Sequence, residues 1–190
     1  MVITDQKIDD LLDALMLKAK DVRTGIPYSK EEQFPQCLTM IGQNFEAATV
    51  PALWKDEAEK YHVMRNVSAL AKLSFTRLVV LITDVRWTTS PEVAKFLGIP
   101  ELEEIGVEAW GKQYTRVLTA RFGGEVKNLP RQYWHEAVCV VMKGPELKGK
   151  IPLRMAHYER GPNDSIHWLP TKSDTDYSGM HFNLLPDWWD

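Results

Sequence analysis

The apolar positions near the start of the chain fall at Ile8, Leu11, Leu12, Leu15 and Ala19, the spacing of one helical face. With Asp5 available as N-cap, this pattern predicts a helix over residues 5–20 that docks one stripe on the core. Gly25 and Pro27 end it, and Ser29 with Glu32 offers a capping box that Pro35 cuts short. Residues 37–50 fit two patterns: Leu38, Ile41, Phe45 and Ala48 match helical spacing, while Leu38 and Met40 before Gly42-Gln43-Asn44 match a hairpin, the preferred reading. Pro51 suits the first turn of a second helix running to about residue 73, lined by Trp54, Ala58, Tyr61, Met64, Val67 and Ala71.

Residues 77–87 contain an unbroken Leu-Val-Val-Leu-Ile run, which predicts a central strand covered on both faces. Ser90-Pro91 starts a short helix stopped by Gly98 and Pro100, and residues 101–122 carry Leu102, Ile105, Trp110, Tyr114, Val117 and Leu118 on helical spacing. The last third reads as strands over residues 134–142, 151–160 and 165–169, joined by turn-forming Gly, Pro, Asn and Asp. A four-residue loop would pair Arg160 with Ser165, Tyr158 with His167 and His157 with Trp168. That register turns Ile151, Leu153, Met155, Ile166 and Trp168 to the core, and Arg154, Tyr158, Arg160 and His167 to solvent.

These elements make an α+β fold: a mixed or mainly antiparallel sheet of about five or six strands, packed by the N-terminal and middle helices and ending in an antiparallel meander. The length of 190 residues suits one domain, assigned to residues 1–172 with a helical insertion at about 90–124, followed by an acidic and aromatic arm at 173–190. At 44% apolar and 26% charged, the composition is that of an ordinary globular chain rather than a disordered or fibrous one.

Asp5, Asp9, Asp10 and Asp13 interrupt any apolar leader, and the longest apolar runs, 78–82 and 137–142, are far too short to cross a bilayer. A cytoplasmic protein is expected, with no membrane partner. Cys37 and Cys139 are too few for a disulfide framework and read as reduced core thiols.

The net charge of −3 is unevenly spread. Residues 112–160 hold ten basic against four acidic side chains, and residues 161–190 one against five. The basic stretch includes Arg116, Arg121, Lys127, Arg131, Arg154 and Arg160, interleaved with Phe122, Tyr133, Trp134 and Tyr158, a mixture able to grip phosphates and stack bases. Because the pI is near 6.0, nucleic acid ranks behind a protein partner.

Residues 144–150 spell G-x-x-x-x-G-K, but Ile151 and Pro152 stand where a phosphate-binding loop needs Ser or Thr and a helix, so a turn is predicted. Five histidines without metal-ligand spacing imply neither a metal nor a cofactor, and His157 among Leu153, Met155 and Trp168 reads as a core histidine. Asp84, just past the buried strand, with Arg86 and His135, is the one candidate cleft for a small hydrolase or ligand-binding domain. No catalytic residues are assigned.

The arm ends in Phe182, Leu184, Leu185, Trp188 and Trp189, apolar cargo that either folds back on its own domain or anchors a neighbour. Together with the missing catalytic constellation, it points to a non-enzymatic interaction or assembly protein that docks through this arm or self-associates. The segments Asp84-Val85-Arg86-Trp87, residues 131–141, and residues 151–170 with their Tyr-x-Arg…Ile-x-Trp pattern loosely resemble a group of small, uncharacterised proteins of bacteria and their phages. The resemblance covers about half the chain, and the group has a short link where this chain inserts residues 90–124. It implies a fold and a bacterial or phage-infected cell, or a virion, as setting, and no particular activity.

Overall fold

Helix α1 (Asp5–Gly25) runs a turn further than predicted, because Arg23 continues the buried stripe of Ile8, Leu12, Met16 and Ala19. Hydrophobic spacing alone misses such a position. The Arg23 side chain is buried, and its Nε–H donates to the Tyr158 hydroxyl at 2.9 Å. Thr4, not Asp5, is the N-cap: its side chain accepts from the Lys7 N–H, while Asp5 adds its charge to the first turn. The computed structural model describes residues 4–26, 34–44, 46–52, 54, 57–87, 90–125, 128–133, 135–174 and 185–189. The Ser29–Glu32 capping box, Phe45, Lys127, Trp134, Phe182 and Leu184 lie outside them.

The chain divides into two units, one made of residues 1–84 and 138–190, the other of residues 85–137. The sheet comprises β1 (Cys37–Ile41), β2 (Ala47–Pro51), β3 (Leu78–Trp87), β4 (His135–Lys143), β5 (Leu153–Arg160), β6 (Ile166–Trp168) and β7 (Lys172–Asp174). Strand order is β2-β1-β3-β4-β5-β6, with β7 also on β5. The fold is therefore α+β with a mostly antiparallel sheet and a C-terminal meander, as the sequence predicts. The seventh strand, β7, is wholly exposed and carries no apolar signal, so hydrophobic patterning does not mark it, and the expected boundary at 172/173 falls inside it.

β1 and β2 form the hairpin preferred for residues 37–50. β3 is central and buried on both faces. Leu78, Val80 and Ile82 join Val138, Val140 and Met142 of β4, Ala156 and Tyr158 of β5 and the stripe of α1 in one cluster. Each fully buried aliphatic side chain contributes about 1.5–3 kcal/mol. Gly144, just past β4, is a glycine because a Cβ there would collide with the Arg77 carbonyl just before β3. The loop after it is a turn: a 3-10 segment over Pro145–Leu147, then left-handed Lys148 (φ 52°) and Gly149 (φ 83°).

Helix α2 (Glu57–Leu73) starts later than predicted, and Pro51 is instead the last residue of β2. The hairpin explains this. Gly42 N–H donates to Glu46 O and Ala52 N–H to Gln36 O, so residues 46, 48, 50 and 52 bond to β1. Residues 47, 49 and 51 point their backbone groups outward, where a proline loses no ladder bond.

The β5–β6 hairpin is shifted by one residue from the predicted register: Tyr158 faces Trp168, Glu159 faces His167, and Arg160 faces Ile166. Gly161 N–H donates to Ser165 O at 2.8 Å, so the loop holds three residues, Pro162–Asp164, with Asn163 left-handed at φ 58°. A one-residue slip exchanges faces. Arg154, Ala156, Tyr158 and Arg160 thus share the side of Ile166 and Trp168, and Ala156 and Tyr158 pack in the α1 cluster. The side predicted to face solvent is the side that α1 covers.

The second unit contains α3 (Ser90–Leu97), α4 (Leu102–Ile105) and α5 (Val107–Phe122). The continuous helix predicted over 101–122 is broken by Gly106 at φ 77°, which caps α4 and opens α5. Val93, Ala94, Leu97, Ile99, Leu118 and Leu129 form a second apolar cluster, beyond the single core that length suggested. The predicted insertion at 90–124 falls inside this unit.

Candidate interaction surface

Of the arm residues singled out in the sequence, Leu185, Trp188 and Trp189 are described, and the first two are buried within the chain's own first unit. Trp188, 3% exposed, donates its indole N–H to the Thr76 carbonyl at 2.9 Å. Lys143 Nζ donates to the Leu185 carbonyl at 2.6 Å and pairs with Asp187 at 2.8 Å, while the Ser68 hydroxyl donates to the Pro186 carbonyl at 3.2 Å. Residues 185–189 are thus a clasp across α2, the turn before β3, and the end of β4. Trp189 stays 37% exposed, edge-on to Trp188.

The clasp grips the turn that ends α2. Thr76 N–H donates to Ala71 O at 2.9 Å and Phe75 N–H to Lys72 O at 3.4 Å, the paired bonds of a Schellman cap. The left-handed position of such a cap favours glycine, but here it holds Phe75, with φ 51°. A left-handed L-residue costs roughly 1–2 kcal/mol. The ring does not recover this by burial, since Phe75 is 75% exposed.

Leu73 and Leu70, on the preceding turns, are 78% and 49% exposed. Leu70 also lines a groove of about 260 Å³ with Met40, Ala47, Ala48, Ser74 and Thr76, together with Gly42 and the carboxylate-bearing Glu46. One wall of this groove is β2, the edge strand of the sheet. An apolar helix end therefore adjoins a strand edge that, among the described residues, has no further strand on it and carries no charge within Ala47–Pro51. Sequence patterning missed Leu70, Leu73 and Phe75, because their apolar character reads as core; only the glycine-type position of Phe75 could have marked it.

Of the six basic residues expected to form one face, Arg154 and Arg160 belong to the first unit and Arg116 and Arg121 to the second. Arg154 is 7% exposed, its Nε bonded to Asp13 at 2.7 Å and its terminal nitrogen to Asp9 at 2.6 Å, both on α1. Arg160 is half-buried, its guanidinium 5.5 Å from the Tyr158 ring centroid. In the second unit, the Arg121 guanidinium lies over Phe96 and Phe122, with the Phe96 ring stacked on Tyr133 at 4.5 Å. Arg116 is exposed on α5. Lys127 and the Arg131 side chain lie outside the description. Tertiary packing thus uses Arg154 as an internal cation and Arg121 as a cover for aromatic rings.

Asp84 is half-buried on β3, and His135 is exposed at the start of β4. The groove beside β2 and the hollow around Glu92, Lys95 and Phe96 are lined by other residues. Burial, with the Asp84 charge adding to it, pushes the Cys139 thiol up to about 12. Burial also raises that of Cys37. Thiols kept protonated in this way are poor nucleophiles. His157 is half-buried on the side of Leu153 and Met155, opposite Trp168. Among the described residues, no group of three or more His, Cys, Asp or Glu side chains is placed to hold a metal ion, and no helix is long and apolar enough to cross a membrane. No protein-family model, curated protein or solved structure matches this chain.

Proposed function

We propose that this is a non-enzymatic interaction or assembly protein that docks through the end of α2 and the adjoining β2 edge. The reading rests on one observation above the others. Phe75 occupies a strained, glycine-type backbone position and yet presents its ring to solvent, beside exposed Leu73 and Leu70. Strain of this kind, kept without burial, is a signature of function rather than of packing. The aromatic arm then contributes indirectly: Trp188, through the Thr76 carbonyl, holds the turn that displays Phe75. The resemblance to bacterial and phage proteins suggests the cytoplasm or a virion as the setting.

The test is site-specific photo-cross-linking. A benzophenone amino acid at position 75 should give discrete macromolecular adducts in expressing cells, while the same probe at Leu17, also exposed on α1 at 64%, should not. Equal yields at the two positions would defeat the reading.

A further inference from the structure

We infer that the occupant of this surface is a second copy of the same chain, joined edge to edge through β2; the inference rests on the interaction reading above. β2 ends the strand order, and its residues Ala47, Ala48, Thr49, Val50 and Pro51 carry no charge. Natural edge strands are blunted by charges, prolines, bulges or short length; β2 has no charge, and its one proline, Pro51, stands at its end. Ala47 and Thr49 point both N–H and C=O away from β1, as the Gly42–Glu46 and Gln36–Ala52 bonds fix the alternation. Such an edge is complementary to itself.

A twofold axis through Ala48 sets Ala47 of each copy opposite Thr49 of the other, and all four N–H groups then meet all four carbonyls across the seam. Pro51, which has no N–H to offer, falls beyond this ladder. Like charges do not meet, because Glu46 faces the partner's Val50. On the groove side, the only side chains at the axis are the two Ala48 methyls, small enough to let the strands close. Antiparallel pairing about an axis normal to the sheet puts both copies of α2 on the same side of the seam. The exposed Leu70 and Leu73 then lie on that side in both copies, flanking the joined grooves, where Met40 and Ala48 are apolar and Glu46, Ser74 and Thr76 polar. An extended peptide from another protein could use the same amides, but the self-complementary ladder favours a second copy.

Light scattering after size exclusion tests this at about 100 μM protein, well above a micromolar dissociation constant. Wild type should give twice 21.8 kDa. Ala48→Lys, which places two ammonium groups opposite each other on the axis, should give the monomer mass, as should Ala47→Pro, which removes one outward N–H per copy. Circular dichroism would confirm that both variants fold. Oxidised Ala48→Cys should trap a covalent dimer in high yield, since residues facing each other at a non-hydrogen-bonded antiparallel position are about 4.5 Å apart at Cα.

A wild-type monomer, a folded Ala48→Lys dimer, or failure of Ala48→Cys to cross-link would each overturn the inference. Should wild type be monomeric while position 75 still captures a macromolecule, edge pairing fails and the interaction reading stands. Absence of both dimer and adduct would sink the two together.

Discussion

The Trp188 indole reaches back 112 residues to the Thr76 carbonyl, and that carbonyl belongs to the turn that carries Phe75. The neighbouring tryptophans therefore have different work. Trp188→Ala removes a buried ring and a hydrogen bond, and should lower unfolding stability by about 3–5 kcal/mol. Trp189→Ala, which removes a partly exposed ring, should cost under about 1 kcal/mol. Denaturant titration of the two variants checks the difference, and equal losses would mean that the clasp is misassigned.

Phe75→Gly offers the opposite test. Glycine relieves the left-handed strain at the end of α2, so stability should stay level or rise by up to about 1 kcal/mol while the exposed ring disappears. Melting curves for Phe75→Gly and Phe75→Ala should separate, with glycine the more stable. If glycine is the less stable of the two, position 75 does not hold the left-handed backbone that the strain argument needs.

Arg154 gives a third contrast. Asp9 and Asp13 are 53% and 67% exposed, so solvent screens each pairing, and Asp9→Asn or Asp13→Asn should cost no more than about 1 kcal/mol. Arg154→Ala instead empties a buried site and leaves α1 with unmatched carboxylates, which should cost about 2–4 kcal/mol. Chemical denaturation of the three variants reads this directly.

Cys139 predicts a pH dependence. Its thiol ionises near 9.0 in the unfolded chain but only at about 12 when folded. The contribution to stability is therefore complete below pH 9 and declines towards pH 12, by up to about 1.4 kcal/mol for each pH unit. Unfolding free energies between pH 8 and 11 should fall more steeply for wild type than for Cys139→Ala, and parallel curves would refute the assignment. In the folded protein at pH 8, an alkylating agent should modify Cys37 before Cys139.

Much of the fold was legible because continuous burial leaves a plain trace. The Leu-Val-Val-Leu-Ile run of β3, the stripe of α1 and the Gly42–Asn44 turn all read directly from the sequence. What misled was charge in the interior. Arg154 reads as a solvent residue, yet α1 supplies two carboxylates to meet it, so charge points to the wrong face of β5. The three-residue loop at Pro162–Asp164 reinforced that error, since Asn163 adopts a left-handed conformation more often given to glycine. At the candidate surface, the conspicuous Trp188 is buried, while Leu70 and Leu73 are exposed. Hydrophobicity tells what prefers burial and is silent about which residue the fold leaves outside.

Gly144 just past β4 abuts Arg77 just before β3, and Asp84 further along β3 acts on Cys139 near the opening of β4, so the two neighbouring strands run in opposite directions. Residues 88–134 are, for the sheet, the connection of a single hairpin. The entropy of closing such a connection grows only with the logarithm of its length, about 0.6 kcal/mol per doubling. At the seam between β3 and β4, lengthening or shortening that connection accordingly changes the closure entropy of the strand ladder only slightly.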